Sequence, residues 1–391
     1  MKEAITKPLK GQEKAKAKGK TDARKAVSRR EGVPPRAKVL SDGTTVVGID
    51  IGERHVNLCE IDSDDAVTET RLANTPKKLR EQFEGKAKRR IVLEAGAHTR
   101  WIAELLGELG HQVLVVDPRR TKLISGSLYK DDRVDAQTLA MLGRDAPTLL
   151  KTIPVRPLES QVVLTLVRAR AGAVQGRTRI INAVRGLLKP YGYTTTKDSR
   201  GAGFTAHIRA TLDPILLRLV DSLLVLIDTF NAEIKRYDAD IELVLPRFAP
   251  DAVHVTSLNG VGALTVLYFV ALVGNPGRFE KTRDVGPYLG LCRRRQDSGD
   301  YRSELGITKA GDNLMRALLA NCAAYILGPF GQDSDLRQWG LKKVGGGSRA
   351  EKKKAKIAVA RKLAVLILTL WKTGRVYTPF RKPANEAIKA A

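Results

Sequence analysis

Four acidic residues in a strongly basic chain occupy positions where metal-dependent phosphate chemistry would need them. Asp50 closes the apolar run VVGID, Glu94 closes RRIVLE, and Asp132 and Asp135 lie in KDDRVDA. An acid ending a Val/Ile-rich strand seldom serves packing, and its side chain projects from the edge of the sheet. The i,i+3 spacing of Asp132 and Asp135 puts both on one helix face. Carboxylates brought together from such distant segments can hold a pair of Mg²⁺ ions, with Mn²⁺ as the alternative, and polarise a phosphate.

The elements that must position them can be read from periodicity. TTVVGID, HVNLCEID and VTETRLA predict three strands, and Lys77 to Phe83 a helix. A strand IVLEAG, a helix TRWIAELLGELG, a strand QVLVVD and a helix opening near Asp132 follow. Three strands and then alternating helices and strands describe an α/β layer of the ribonuclease-H type over residues 44–150. Residues 151–250 predict a helical connector. Its first part carries Arg168, Arg170, Arg177, Arg179 and Arg185 among apolar positions, which is either a phosphate-gripping stripe or a solvated charged face. Asp213-Pro214 then caps a long helix with apolar residues at Leu216, Leu219, Leu223, Leu226, Phe230, Ile234, Tyr237, Ile241 and Val244. Those steps of three and four are coiled-coil spacing, within one chain or between two.

Residues 251–378 predict a mainly helical domain. LNGVGALTV resembles a helix-hairpin-helix turn, in which Gly260 and Gly262 would expose backbone N–H groups to a phosphate; ordinary turn chemistry is the alternative. The run Arg293-Arg294-Arg295 and Lys309 add cations for a polyanion. Residues 1–43 form a basic arm in which, up to residue 40, Lys and Arg outnumber Asp and Glu 13 to 4; residues 379–391 form a tail.

The 391-residue chain carries a formal charge of +26, which points to nucleic acid. Cys59, Cys292 and Cys322 show neither CxxC spacing nor an even count, so neither disulfides nor a zinc site is expected. The five histidines are scattered. No apolar run reaches the length of a membrane span, and the N-terminus has no signal-peptide core, so a cytoplasmic protein with no membrane partner is expected.

Taken in order, GID (48–50), LEAG (93–96) and KDDRVDAQTLA (130–140) resemble the RuvC-like Asp-Glu-Asp-Asp transposases of bacterial insertion sequences and the related Piv/MooV DNA invertases. LNGVGALTV, YLGL, Ser298-Gly299, GITKAGDNLMRALL and ARKLAVLILTLWKTG are similar to that family's second, serine-bearing domain. The resemblance implies a recombinase acting on donor and target DNA. It makes Asp50, Glu94, Asp132 and Asp135 the Mg²⁺-binding tetrad and Ser298 a nucleophile that links covalently to DNA. It also implies guidance by a non-coding bridge RNA from the same element, and a homo-oligomer, dimer or tetramer. Two departures affect the register: Lys130-Asp131-Asp132 offers a second acid beside Asp132, and Cys292-Arg293 replaces a proline common after YxGL. Tyr301 and Ser303 are rival nucleophiles in the same loop. Competing readings are a junction-resolving endonuclease, which needs the acids but not Ser298, and a non-catalytic nucleic-acid scaffold.

Overall fold

The computed structural model describes residues 44–118, 132–148, 150, 152–193, 203–294, 297–298, 301–302 and 305–380. The basic arm, Lys130, Asp131, Arg295, Ser303 and the tail from residue 381 lie outside the described residues. The chain folds as two compact units, one up to Ile153 and one from Pro154 onward. Among the described residues no helix is long and apolar enough to cross a membrane.

The first unit is a five-stranded sheet with helices on both faces, as the alternation of elements predicts. Its strands are β1 (Val46–Ile51), β2 (His55–Ile61), β3 (Val67–Ala73), β4 (Arg90–Glu94) and β5 (Gln112–Val116), in the order β3-β2-β1-β4-β5. β1, β2 and β3 run antiparallel, as their short connections dictate, whereas β4 and β5 lie parallel to β1. The longer returns carry helices α1 (Pro76–Phe83) and α2 (Thr99–Glu108), and α3 (Asp132–Asp145) follows β5. This is a mixed α/β layer of the ribonuclease-H-like kind.

Strand alternation sorts the two faces. Val47, Ile49, Ile91 and Leu93 are buried with Leu79 and Phe83 of α1 and Ile102 and Leu106 of α2. Each such side chain contributes about 1.5–3 kcal/mol. The opposite face, with Val46 and Val92, is buried with Leu139 of α3.

The second unit is almost entirely helical. Its long helices, α4 (Leu158–Leu188) and α6 (Pro214–Phe248), pair within the chain, with α5 (Phe204–Thr211) between them in sequence. Arg170 bonds Asp238 at 2.7 Å and Arg177 bonds Asn231 at 2.9 Å, so the pair runs antiparallel in one fixed register. The seam on α6 is Val220, Leu224, Ile227, Asn231, Ile234, Asp238, Ile241 and Leu245, a four-three repeat. This corrects the stripe expected from sequence, because Leu219 and Leu226 are 67% and 47% exposed. Asn231 and Asp238 interrupt the apolar pattern, and only their arginine partners on α4 make those positions suitable for a seam. Gly176 completes the fit, since a Cβ there would lie 2.7 Å from the Phe230 ring.

Beyond α6 come a 3₁₀ helix (Pro250–Ser257), α7 (Ala263–Val273), α8 (Val285–Tyr288), the two-residue strands β6 (Asp297–Ser298) and β7 (Tyr301–Arg302), then α9 (Asn313–Leu327), α10 (Asp335–Lys342) and α11 (Arg349–Thr373). Ten of the eleven α7 residues are buried, as expected for a helix that is apolar all round. Val163, Val167, Ile241 and Leu245 of the long helices share its core with Leu319 of α9 and Leu363 of α11. The expected connector and the domain expected from residue 251 are therefore packed as one body.

Candidate active site

The register of two parallel strands places Asp50 and Glu94. The last paired residues of β1 and β4 are Ile49 and Leu93, so one further step in register brings the two acids together at the C-terminal ends of adjacent parallel strands. Alternation places both on the face covered by α3, two residues beyond Gly48 and Val92.

Two glycines fix how α3 crosses this face. A Cβ on Gly48 would lie 2.0 Å from the carbonyl oxygen of Ala136 and 2.4 Å from the nitrogen of Ala140, so helix backbone touches strand backbone. A Cβ on Gly143 would meet Val92 and Val46. Val46, Gly48 and Asp50 thus advance along β1 as α3 is traversed backwards, from Gly143 through Ala140 and Ala136 towards Asp135 and Asp132. The first turn of α3 therefore reaches the sheet end that carries Asp50 and Glu94.

The backbone around Glu94 is braced from below. The Thr99 hydroxyl donates to the Glu94 carbonyl at 2.8 Å and accepts the Gly96 N–H at 2.6 Å. Thr99 is buried, so replacement by valine removes this partner from both groups, at a cost of about 1–3 kcal/mol. Urea unfolding of Thr99→Val should show that loss, and Thr99→Ser should recover most of it. Asp117, closing β5, is a fifth acid at the same sheet end. Its sequence signal, an acid ending QVLVV, is the one that singled out Asp50 and Glu94.

The donors are all carboxylate oxygens, the chemistry preferred by hard divalent cations. Among the described residues, no three His, Cys, Asp or Glu side chains are gathered closely enough to hold an ion. Asp50, Glu94 and the acids on the first turn of α3 suit a metal by donor type, and the backbone directs that turn to the sheet end of Asp50 and Glu94.

Ser298, in the second unit, ends β6 directly opposite Tyr301 of β7, the rival nucleophile. The arm carrying them is rooted in paired backbone: Arg294 N–H donates to Gly306 O at 2.9 Å, Thr308 N–H to Cys292 O at 2.8 Å and Lys309 N–H to Gly290 O at 3.1 Å. At the root, Gly290 and Gly311 cross backbone to backbone, because a Cβ on Gly290 would lie 2.4 Å from Ala310 N. The Arg316 guanidinium donates to the Leu289 and Gly311 carbonyls and holds that crossing together. Lys309 adopts φ +55°, uncommon for a residue with a side chain, where the chain turns out of the arm.

The residues expected to bind nucleic acid separate into two groups. Arg168 donates to the Tyr268 hydroxyl at 3.3 Å and to Asp312 at 3.4 Å, tying α4 to α7 and to the N-cap of α9. Burial pushes the Tyr268 phenol up within this network. Arg177 is a seam residue, and Arg185 lies 5.3 Å over the Phe204 ring. Arg168, Arg177 and Arg185 thus each have a partner within the second unit, and Arg168 is exposed as well, as are Arg179, Arg293, Arg294 and Lys309. Gly260 has φ +85° and abuts Tyr325 and Ile326, so its lack of a side chain serves the turn. Gly262 is exposed at the N-cap of α7, and the element before the turn is 3₁₀ rather than α.

Two family models match in series. One, of the IS110-type DEDD transposases, covers residues 47–192; the other, described as the transposase IS116/IS110/IS902 family, covers residues 252–331. The chain is 27% identical to the transposase for insertion sequence element IS1111A of Coxiella burnetii, over 83% of this chain and 89% of that protein. It is also 27% identical to a probable family 20 transposase of Pseudomonas aeruginosa, over 74% and 86% of the two chains. Against the transposase for insertion sequence element IS1328 of Yersinia enterocolitica the identity is 25%, over 74% and 85%. The first match contains the sheet and α3 with all four acids, and the second contains Ser298 and its arm. With both domain types present in that order, the chain belongs to the IS110 family of DEDD transposases, enzymes of DNA transposition.

Proposed function

We propose that this transposase cuts and rejoins DNA through a covalent phosphoserine intermediate, with Asp50, Glu94, Asp132 and Asp135 holding Mg²⁺ and Ser298 as the nucleophile. The observation that carries this reading is the Gly48 contact, which directs the first turn of α3 to the strand ends bearing Asp50 and Glu94. Divalent metal, when bound, supplies Lewis-acid polarisation of a phosphate oxygen. The Ser298 hydroxyl attacks phosphorus, the bond from phosphorus to one sugar oxygen breaks, and that sugar leaves as a free hydroxyl carrying a proton. A hydroxyl on the other DNA then attacks the phosphoserine, forming the new phosphodiester and restoring the serine. Because each step exchanges one ester for another, the bond energy is kept for rejoining.

Guidance by a non-coding RNA and assembly as a homo-oligomer complete the proposal. A net charge of +26 suits the phosphate load of DNA and RNA together. In the turn before α7, exposed Gly262 would present its N–H to phosphate, with Gly260 shaping the bend.

A denaturing gel of protein, Mg²⁺, element-end DNA and transcripts of the flanking non-coding region tests the reading. A covalent protein–DNA adduct is expected with the natural chain and absent with Ser298→Ala. Cleavage that persists without adduct in Ser298→Ala would make the protein a RuvC-like nuclease. An adduct that forms equally well without transcripts would remove the RNA.

A further inference from the structure

The second unit contains a groove of about 1140 Å³ that none of the chemistry above uses. One wall is the root of the Ser298 arm, with Leu291, Arg293 and Ile307; the others are α10, the half-buried flank of α11 beside its core-facing side, and the segment after α11. Its floor is apolar: Trp339, Ile357, Val365 and Leu366 are packed on one side and half-buried. Its rim is cationic, with Lys353, Lys354, Arg361 and Lys362 on α11 and Arg293 opposite, against Asp335 as the single carboxylate among the described lining residues.

We propose that this groove binds single-stranded DNA, the unpaired nucleotides beside the phosphate that the Ser298 arm meets. The inference rests on the transposase reading for its choice of DNA, and otherwise on charge and shape. The cation pairs at 353–354 and 361–362 are eight residues apart, a little over two helical turns or about 12 Å, which successive phosphates of an extended strand span and a single small anion does not. An apolar floor inside a basic rim suits nucleotides whose bases are out of the stack, whereas duplex DNA presents only its phosphates to such a surface. The Lys362 ammonium lies 3.8 Å from the Trp339 ring centre, so an incoming phosphate can draw it off the ring and leave that face to a base. The chain's own continuation, RKPANEAIKAA, has three cations and one acid and would oppose the rim. A second copy of this +26 chain would bring more positive charge.

The test is fluorescence anisotropy of the full-length protein with a labelled single-stranded DNA oligonucleotide, the matching duplex and the matching RNA. Lys353→Glu with Arg361→Glu changes two exposed helix positions and should leave the circular dichroism unchanged. The double variant is expected to weaken single-strand binding about tenfold or more and to reduce the salt dependence by about 0.7 per lost phosphate contact. Duplex binding should change much less. Trp339→Ala should weaken the single strand about tenfold, with Trp339→Phe close to the natural chain. Unchanged single-strand affinity, or an equal loss for duplex, overturns the proposal. So does tighter binding of RNA than DNA, or a change in oligomer mass without a change in DNA affinity, which would assign the groove to RNA or to protein. The assay involves no bond cleavage, so a missing adduct with intact groove binding would remove the Ser298 mechanism and leave this site standing.

Discussion

Gly48→Ala is expected to lower strand cleavage about 100-fold and to destabilise the fold by about 1–3 kcal/mol, although the residue binds nothing. The added methyl would lie 2.0 Å from Ala136 O and 2.4 Å from Ala140 N. Both are helix backbone, so no side-chain rotation relieves the clash. The helix must move away from the sheet, and Asp132 and Asp135 move with it, away from Asp50 and Glu94. Gly143→Ala is the matched control on the same helix. Its methyl meets side-chain methyls of the buried Val92 and Val46 rather than backbone, so the strain falls on core packing and not directly on the helix–strand backbone contact, and alanine favours a helix by up to about 1 kcal/mol over glycine. Cleavage and urea unfolding of the two variants should therefore diverge. Equal, mild effects would show that the spacing between α3 and β1 does not set the site.

Asp50→Ala is expected to abolish both cleavage and adduct, on the order of 10³-fold or more, while the protein still melts cooperatively near the natural temperature. Losing a carboxylate that positions metal forfeits several kcal/mol of transition-state charge stabilisation, whereas the half-buried Asp50 side chain adds little to packing at a strand end. Asp50→Asn keeps the shape without the charge and should fail equally. Full cleavage by Asp50→Ala would place the chemistry elsewhere in the chain. Ser298→Ala gives the complementary result, because it should lose the adduct while leaving metal binding at the acids intact. The two variants together separate the recombinase from a nuclease that uses the acids alone.

Sequence determined the elements that carry the four acids. An acid after VVGI or RRIVL has no packing use, strand alternation is a local property, and an i,i+3 pair on a helix is set by the helix itself. It also determined that α7 is central, since a segment apolar on every side has nowhere else to go. What sequence left open was decided where two segments distant in the chain meet. Which apolar stripe of α6 forms the seam depended on Arg170 and Arg177, which satisfy Asp238 and Asn231 and so admit polar residues to a packed face. The same contact settled that the long helices pair within one chain. The partners of the arginines on α4 were hidden for the same reason: those of Arg168 and Arg177 lie more than fifty residues away, and no local pattern reveals them. The groove beside the Ser298 arm is built from α10, α11 and the arm's root, each of which reads separately as an ordinary amphipathic or basic segment. Only tertiary packing turns α11 so that its cations and half-buried apolar residues border one cavity, because its fully buried face is claimed by the core around α7.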